Sequence, residues 1–233
     1  ACMEQKQKEL YHAHAQRLAL MLQNQTEEEF ADSRFQVLSE LTRLRQLCCD
    51  PALVYENYEG GSAKLDLCIE LIQSAVESGH KILLFSQFTS MIEILTARLQ
   101  EESISCFVLQ GSTKKEQRAQ MVEQFNRDDT SVFCISLKAG GTGLNLTGAD
   151  IVIHYDPWWN VAVENQATDR AHRIGQKNVV TVYKLIAKGT IEEKIIKLQQ
   201  MKKELAEEIL SGDEIKTASF QREELLELLE ERF

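Results

Sequence analysis

Short apolar runs alternate with helical patterns along residues 62–186, and this alternation constrains the fold more than any other feature of the sequence. The runs are rich in β-branched and aromatic residues, as strands are; they are Lys81–Ser86, Cys106–Gln110, Val132–Ser136, Ile151–Tyr155 and Val179–Ile186. Strands that alternate with helices form right-handed βαβ units and hence a parallel sheet. Because the runs are nearly continuous in their apolar character, we expect helices on both faces of an α/β sheet.

Capping signals mark helices between and after these runs. A first helix is predicted from Ser62 to Gly79. Thr113 and Glu116 predict a capping box before a later helix. Phe88, Met91, Ile92, Leu95 and Leu99 form the apolar stripe of the helix between them.

Helical patterns also occupy both ends of the chain. At the N-terminal end they run over residues 3–48 and stop at Asp50, which precedes a proline. At the C-terminal end, Thr190 and Glu193 predict a second capping box and a helix to about Leu210. We therefore divide the chain into a helical protrusion and connector (1–60), an α/β domain (61–189) and C-terminal bracing helices (190–233).

Composition narrows the class of protein. The 233 residues are 43% hydrophobic and 27% charged, which is typical of a soluble globular chain. The formal net charge of −10 argues against a generic nucleic-acid binder, although residues 136–189 carry a small excess of basic residues. The six cysteines have no zinc-binding spacing, so we expect no metal site and a reducing compartment. With no membrane-length apolar run and no signal peptide pattern at Ala1–Lys8, we expect no membrane partner.

Small, polar or aromatic turns follow the first four predicted strands. In a parallel sheet ligands bind outside the carboxyl ends of the strands, so these turns predict one continuous polar or anionic ligand surface. The turns begin at Ser86, Gly111, Leu137 and Asp156. The Gly-rich turn Gly140–Gly143 suits close approach of backbone N–H groups to a phosphate. A tight turn that binds nothing is an equally good interpretation of that turn alone, and no Walker A sequence occurs in the chain.

Gln166, Arg170 and Arg173 have the spacing of one helix face, on a helix predicted from Asn160 to about Ala171. Two guanidinium groups and an amide that project together suit the oxygens of a polyphosphate. The alternative is a solvated charged face on which Asp169 pairs with Arg173. Because the helix follows the aromatic turn at the ligand surface, we favour the phosphate interpretation.

Several spaced motifs resemble those of Swi/Snf-type DNA-translocating ATPases, which are superfamily-two helicase relatives. The motifs are SLKAGGTGLNLT at 136–147, DPWWN at 156–160 and QATDRAHRIGQ at 166–176, supported by Leu83–Phe88 and by RLRQLCCDPAL at 43–53. The resemblance covers about residues 38–210, and the short segments GGSAK at 60–64 and TIEEK at 190–194 look most like bacterial members. It implies the C-terminal RecA-like lobe of a two-lobed, chromatin-remodeller-like motor.

The resemblance also implies roles for individual residues. Arg170 and Arg173 reach ATP phosphates across the interlobe cleft, one of them as an arginine finger, and Gln166 orients them. Mg²⁺ is held mainly by the first lobe, which is not in this chain. Residues that link the nucleotide and DNA sites are Gly141, Gly143 and Asn145. DNA phosphates meet donors from Ser86, Gln87, Gly111, Ser112, Lys138 and Thr142, and Trp159 couples DNA engagement to closure.

The sequence departs from the family pattern at two positions. Val161 stands where proline is usual, and Asn165 stands where an acid is usual.

The implied partners are double-stranded DNA, the first lobe of the same polypeptide and a DNA-bound protein complex. The expected location is the bacterial cytoplasm and nucleoid, or the nucleus of a eukaryote. A non-catalytic phosphate- or nucleotide-binding α/β interaction module is the alternative function. For Trp158 a core position is favoured. If residues 190–233 brace the first lobe, exposed apolar residues are expected among Ile191, Ile195, Ile196 and Leu198; the alternative is an ordinary C-terminal helix on the core of this chain.

Overall fold

The computed structural model describes residues 1–137, 139, 144–171, 176, 178–208 and 222–229, with the side chains of 201–208 and 224 outside that description. The chain divides into two units. One consists of Ala63–Ile186 together with Ala1, and the other of Cys2–Ser62 together with Ala187–Phe233.

A five-stranded, all-parallel sheet forms the centre of the unit Ala63–Ile186. Its strands are β1 (Ile82–Ser86), β2 (Cys106–Leu109), β3 (Val132–Ser136), β4 (Ile151–His154) and β5 (Thr181–Lys184), in the order β2-β3-β1-β4-β5. In the register, Leu83 lies opposite Phe133 on one side and Val152 on the other. The parallel sheet with flanking helices confirms the predicted RecA-like α/β class.

β1, β3 and β4 lie in the core, whereas β5 lies at the surface. Every residue of β1, β3 and β4 is buried, whereas every residue of β5 is exposed. β5 pairs only with β4 among the described strands, and its ends are the polar residues Thr181 and Lys184. The expectation of a sheet covered on both faces is therefore wrong for this strand.

Helices connect the strands of this unit. They are α3 (Ala63–Glu77), α4 (Thr89–Glu101), α5 (Lys115–Arg127) and α6 (Val161–Thr168). Gly79, two residues after the end of α3, adopts a φ of 81°, a left-handed conformation that glycine adopts at little cost. The predicted capping box before α5 does not form. Lys114 is the N-cap without a side-chain bond, and the Thr113 hydroxyl instead accepts from the Gln110 amide at 3.1 Å.

The second unit is helical in its described part. Its helices are α1 (Gln5–Gln23), α2 (Glu27–Cys49), α7 (Ile191–Glu208) and α8 (Arg222–Leu229). Thr26 and Glu29 form a complete capping box at the start of α2. At the start of α7, the Thr190 hydroxyl accepts from the Glu192 amide at 3.2 Å and the Glu193 carboxylate accepts from the Gly189 amide at 3.0 Å, so Thr190 and Glu193 do not form the predicted reciprocal box.

Two apolar residues of α7 that we expected at the surface are buried. Ile191 and Ile195 are fully buried, in the unit that also contains the buried Leu18, Leu22 and Leu44. The Ile191 amide donates to the Tyr11 hydroxyl at 2.7 Å, which ties α7 to α1. The expectation of exposed apolar positions on α7 is therefore wrong for both isoleucines.

No helix in the described ranges is both long enough and apolar enough to cross a membrane.

Candidate functional site

The turns that follow β1, β2, β3 and β4 meet at one edge of the parallel sheet, which we call the carboxyl edge. Three of these turns are described in large part, and Ala139 is described in the turn after β3. Polar contacts connect the turns in neighbouring pairs. These contacts determine which side chains the carboxyl edge offers to a ligand.

Asp156 joins the turns after β1 and β4. Its buried carboxylate accepts from the Ser86 hydroxyl at 2.5 Å and from the Gln87 amide at 3.3 Å. Ser86 is itself fully buried, and its oxygen also accepts from the Phe88 amide at 3.2 Å. The hydroxyl is therefore not available to a DNA phosphate, which corrects the direct contact predicted for Ser86.

Gln87 lies beside this pair and is half-buried. Its side-chain nitrogen Nε2 is buried and has no acceptor among the described residues. A buried N–H donor without an acceptor costs about 1–3 kcal/mol. The phosphate contact predicted for Gln87 stays a prediction.

Arg118 of α5 joins the turns after β2 and β3. Its guanidinium donates to the carbonyl oxygens of Thr113 (2.8 Å), Gly111 (3.0 Å), Gln110 (3.3 Å) and Ala139 (3.4 Å). Between those carbonyls, Gly111 and Ser112 are exposed at the surface of the turn. Gly111 and Ser112, two predicted DNA-binding residues, therefore lie on a turn whose carbonyls are hydrogen-bonded to Arg118.

Glu164 of α6 joins the aromatic turn after β4 to the end of β5. One carboxylate oxygen accepts from the Trp158 amide at 2.6 Å, and the other lies 2.5 Å from the Lys184 ammonium. Glu164 is 1% exposed. Its carboxylate therefore fixes the turn from which Trp158 and Trp159 project.

The two tryptophans differ in their surroundings. Trp158 is partly buried and packs against the core cluster that includes Phe85 and Ala167, which fits the core position favoured for it. Trp159 is half-buried. Its coupling role stays a prediction.

Gln166 and Arg170 do not share a helix face. α6 ends at Thr168, and the following residues form tighter turns, with bonds from the Arg170 amide to Ala167 and from the Ala171 amide to Thr168. Gln166 is exposed, whereas Arg170 is 2% exposed. The expectation that both project together toward a phosphate is therefore wrong for Arg170, which lies in the interior of this unit.

Loop 144–149 is bonded to the segment that follows α6. Gln176 donates from its side chain to the carbonyls of Thr147 (3.2 Å), Ala149 (2.6 Å) and Ala171 (3.3 Å). The Leu146 amide donates to the Arg170 carbonyl at 3.1 Å. Asn145 is exposed on this loop.

Several predicted site residues lie outside the described residues, namely Arg173, Lys138, Gly141, Thr142 and Gly143. Among the residues that the structure does describe, no group of three or more His, Cys, Asp or Glu side chains is placed to hold a metal ion.

Sequence reasoning missed three residues that organise the site. Glu164 carried a signal, because an acid near Val161, Val163 and Ala167 in a short helix stands among apolar neighbours. Asp156 directly follows an apolar strand, which also marks a buried carboxylate. No local pattern pointed to Arg118, because its acceptors are backbone carbonyls.

His154 lies at the end of β4, below the carboxyl edge. Its ring stacks on Phe85 with centroids 5.5 Å apart, and Nε2 lies 3.0 Å from the Thr168 hydroxyl. Burial lowers the pKa of His154 to about 4; the Lys184 charge adds to this, and Glu164 opposes it. The imidazole is therefore neutral near pH 7.

We expect His154 to make the free energy of unfolding depend on pH. The imidazole takes up a proton near pH 6.5 when the chain is unfolded and near pH 4 in the folded protein. Stability present above pH 6.5 is therefore lost as the pH falls toward 4, by about 3 kcal/mol in the limit. His154→Gln should flatten this part of the profile in urea titrations between about pH 7 and pH 5. An unchanged slope in the variant would contradict the assignment.

The model of the family described as the helicase conserved C-terminal domain matches residues 63–175. This range contains β1 to β4, the carboxyl edge and α6. The match therefore covers the elements that carry the candidate site.

Solved structures and curated proteins similar to this chain also come from helicase-like ATPases. The SWI2/SNF2 ATPase C-terminal domain of Sulfolobus solfataricus has a TM-score of 0.78 and 30% identity over 99% of this chain and 96% of that chain. The SWI2/SNF2 ATPase core of the same organism in complex with dsDNA has a TM-score of 0.75 and 33% identity, covering 90% of this chain and 44% of that chain.

A protein of Mycoplasma pneumoniae named "Uncharacterized ATP-dependent helicase" is 45% identical over 202 residues, which are 85% of this chain and 19% of that protein. The chain thus spans about a fifth or less of the length of the curated relatives it matches. The near-complete mutual coverage with the Sulfolobus domain, at 30% identity, confirms the resemblance found in the motifs. The chain belongs to the family of SWI2/SNF2 ATPase C-terminal domains.

Proposed function

We propose that this chain is the second motor lobe of an ATP-dependent translocase that moves along double-stranded DNA. The observation that carries the proposal is the carboxyl edge, where Asp156 and Arg118 hold neighbouring turns in place and leave Gly111 and Ser112 exposed, with Gln87 half-buried beside Asp156. Further support comes from the Sulfolobus relative, whose core was solved in complex with dsDNA.

DNA contact by these turns needs no reading of bases. Backbone N–H groups, hydroxyls and amides bind phosphate oxygens of any sequence, which is what a moving motor requires. We assign this contact to Gln87, Gly111, Ser112, Lys138 and Thr142. Ser86 is assigned an indirect role, because its buried hydroxyl orients Asp156 rather than contacting a phosphate. Trp159 is assigned the coupling of DNA engagement to lobe closure.

The described residues fit one side of a nucleotide site rather than a whole one. Gln166 offers an exposed amide, and the chain has no Walker A sequence to cradle a triphosphate. ATP, when bound, supplies the free energy of phosphoryl transfer, and we assign its main binding surface and Mg²⁺ to the first lobe.

The arginine finger is assigned to Arg173. A finger must reach a ligand held by another lobe, and the 2% exposure of Arg170 leaves that residue to support the site from within. A guanidinium at the transferring phosphoryl group stabilises the charge of the transition state. Gly141, Gly143 and Asn145 are assigned the link between the nucleotide and DNA sites. In this mechanism the two lobes close and reopen while both hold one strand, which moves the enzyme along the duplex.

The first test compares this chain with the intact enzyme, by which we mean the longer protein that joins it to a Walker A lobe. The purified 233-residue chain is expected to hydrolyse no ATP above background, with or without DNA, because it supplies only one side of the site. The intact enzyme is expected to hydrolyse ATP faster when duplex DNA is added. Steady-state phosphate release measures both.

Robust DNA-stimulated hydrolysis by the chain alone would refute the half-motor assignment. A parent reading frame without a Walker A lobe would favour the alternative, a non-catalytic nucleotide- or phosphate-binding module.

A further inference from the structure

Arg118 is held by backbone rather than by an acid. Four hydrogen bonds run from its guanidinium to carbonyl oxygens, at distances of 2.8–3.4 Å. Three of the acceptors belong to the turn after β2, and the fourth, Ala139, belongs to the turn after β3. Within the described part of the chain Arg118 forms no ion pair. Its hydrogen bonds therefore connect the backbones of two neighbouring turns.

The guanidinium group suits this task and an ammonium group does not. Its five N–H donors lie in one plane and point in fixed directions, so that several carbonyls of two separate turns are bonded at once. A lysine at the same position carries the same charge but only three donors, all on one nitrogen. Substitution of Arg118 by lysine therefore keeps the positive charge but removes the fixed directions of the hydrogen bonds.

We propose that Arg118 is a positioning residue for DNA binding: it holds the turn after β2 against Ala139, and thereby places the donors that the turn after β2 presents to the phosphates of one DNA strand. This inference rests on the proposed function. Arg118 itself touches no DNA in this proposal, since all three of its nitrogens donate to carbonyls of the protein.

Arg127 provides a matched control on the same helix. It is the last residue of α5, its side chain is 77% exposed, and it pairs with Glu123 at 2.7 Å on the helix surface. Arg118→Gln and Arg127→Gln remove the same charge from α5. Only the first removes bonds to the turns.

The experiment measures DNA-stimulated ATP hydrolysis by the intact enzyme as a function of duplex DNA concentration. Arg118→Gln and Arg118→Lys are each expected to raise the DNA concentration for half-maximal stimulation by about tenfold, and Arg127→Gln by less than about twofold. The maximal rate at saturating DNA should stay within about twofold of the wild type in all three. The plot of log affinity against log salt should keep its slope in Arg118→Gln.

Two further measurements separate positioning from other roles. Hydrogen exchange of the free enzyme should be faster at the amides of Gln110 and Thr113 in both Arg118 variants, because these amides are bonded within the turn that Arg118 holds. Thermal unfolding reports any general loss of stability.

The outcomes are distinct. Wild-type-like DNA dependence in Arg118→Lys would overturn the positioning role, as would a salt slope lowered by about one in Arg118→Gln, which indicates a direct phosphate contact. Equal exchange rates with a lowered unfolding temperature would also overturn it, in favour of a purely structural residue. If wild-type enzyme shows no stimulation by DNA, the proposed function fails, while the exchange measurement still tests the placement of the turn.

Discussion

In the intact enzyme, Arg173→Ala is expected to lower the maximal rate of ATP hydrolysis by about 10³-fold or more, while the affinity for duplex DNA changes by less than about threefold. The reason is that a finger arginine stabilises charge that develops only in the transition state, so its loss affects turnover rather than the grip on DNA. Steady-state hydrolysis at saturating DNA measures the rate, and a binding titration without nucleotide measures the affinity.

Arg127→Ala serves as the control for this experiment. It removes an exposed guanidinium that pairs only with Glu123 among the described residues, so both quantities should stay near their wild-type values. Equal losses of hydrolysis and DNA binding in Arg173→Ala would contradict the finger assignment. A rate within tenfold of the wild type would contradict it as well.

Glu164→Ala is expected to lower the free energy of unfolding of the chain by about 3 kcal/mol. Glu164 is 1% exposed and bonds both the Trp158 amide and Lys184, so the substitution removes a buried carboxylate and the charged acceptor of the half-buried Trp158 amide. The Trp158 bond accounts for most of the effect, because the Lys184 side chain is 38% exposed and regains water. Urea unfolding followed by circular dichroism measures the change.

A double-mutant cycle separates the two contacts of Glu164. Lys184→Met removes the ammonium alone, and its combination with Glu164→Ala gives the coupling free energy of the pair. Glu123→Gln is the matched control, because Glu123 forms its ion pair on the surface of α5; we expect a change of less than about 0.5 kcal/mol. A Glu164→Ala chain as stable as the control would show that the carboxylate does not hold the aromatic turn.

Local sequence patterns were sufficient to predict the architecture. The apolar runs at β1, β3 and β4 are each continuous and bounded by turn residues, so strand type and parallel arrangement followed from the alternation with helices. Asp50 ends α2 before a proline, with an extended φ of −161°, as a local steric rule requires. Such features depend on neighbours within a few positions along the chain.

The internal contacts of the site were not predictable in the same way. Ser86 and Asp156 are 70 positions apart, and Arg118 and Ala139 are 21 apart, so no periodicity reports their pairing. Arg170 was placed on an outward face by helical spacing, but α6 ends two residues earlier and the chain tightens there. A shift from helical to tighter turns rotates a side chain enough to exchange solvent for core.

The bonds that Arg118 and Gln176 make to main-chain carbonyls have an evolutionary consequence. Every residue carries a carbonyl, so a substitution in the turn at Ser112, or in the loop at Thr147, leaves the acceptors in place. Outward side chains can therefore be replaced while the backbone beneath them keeps its bonds. The constraint falls instead on the two half-buried residues, Arg118 and Gln176, whose side chains supply the donors.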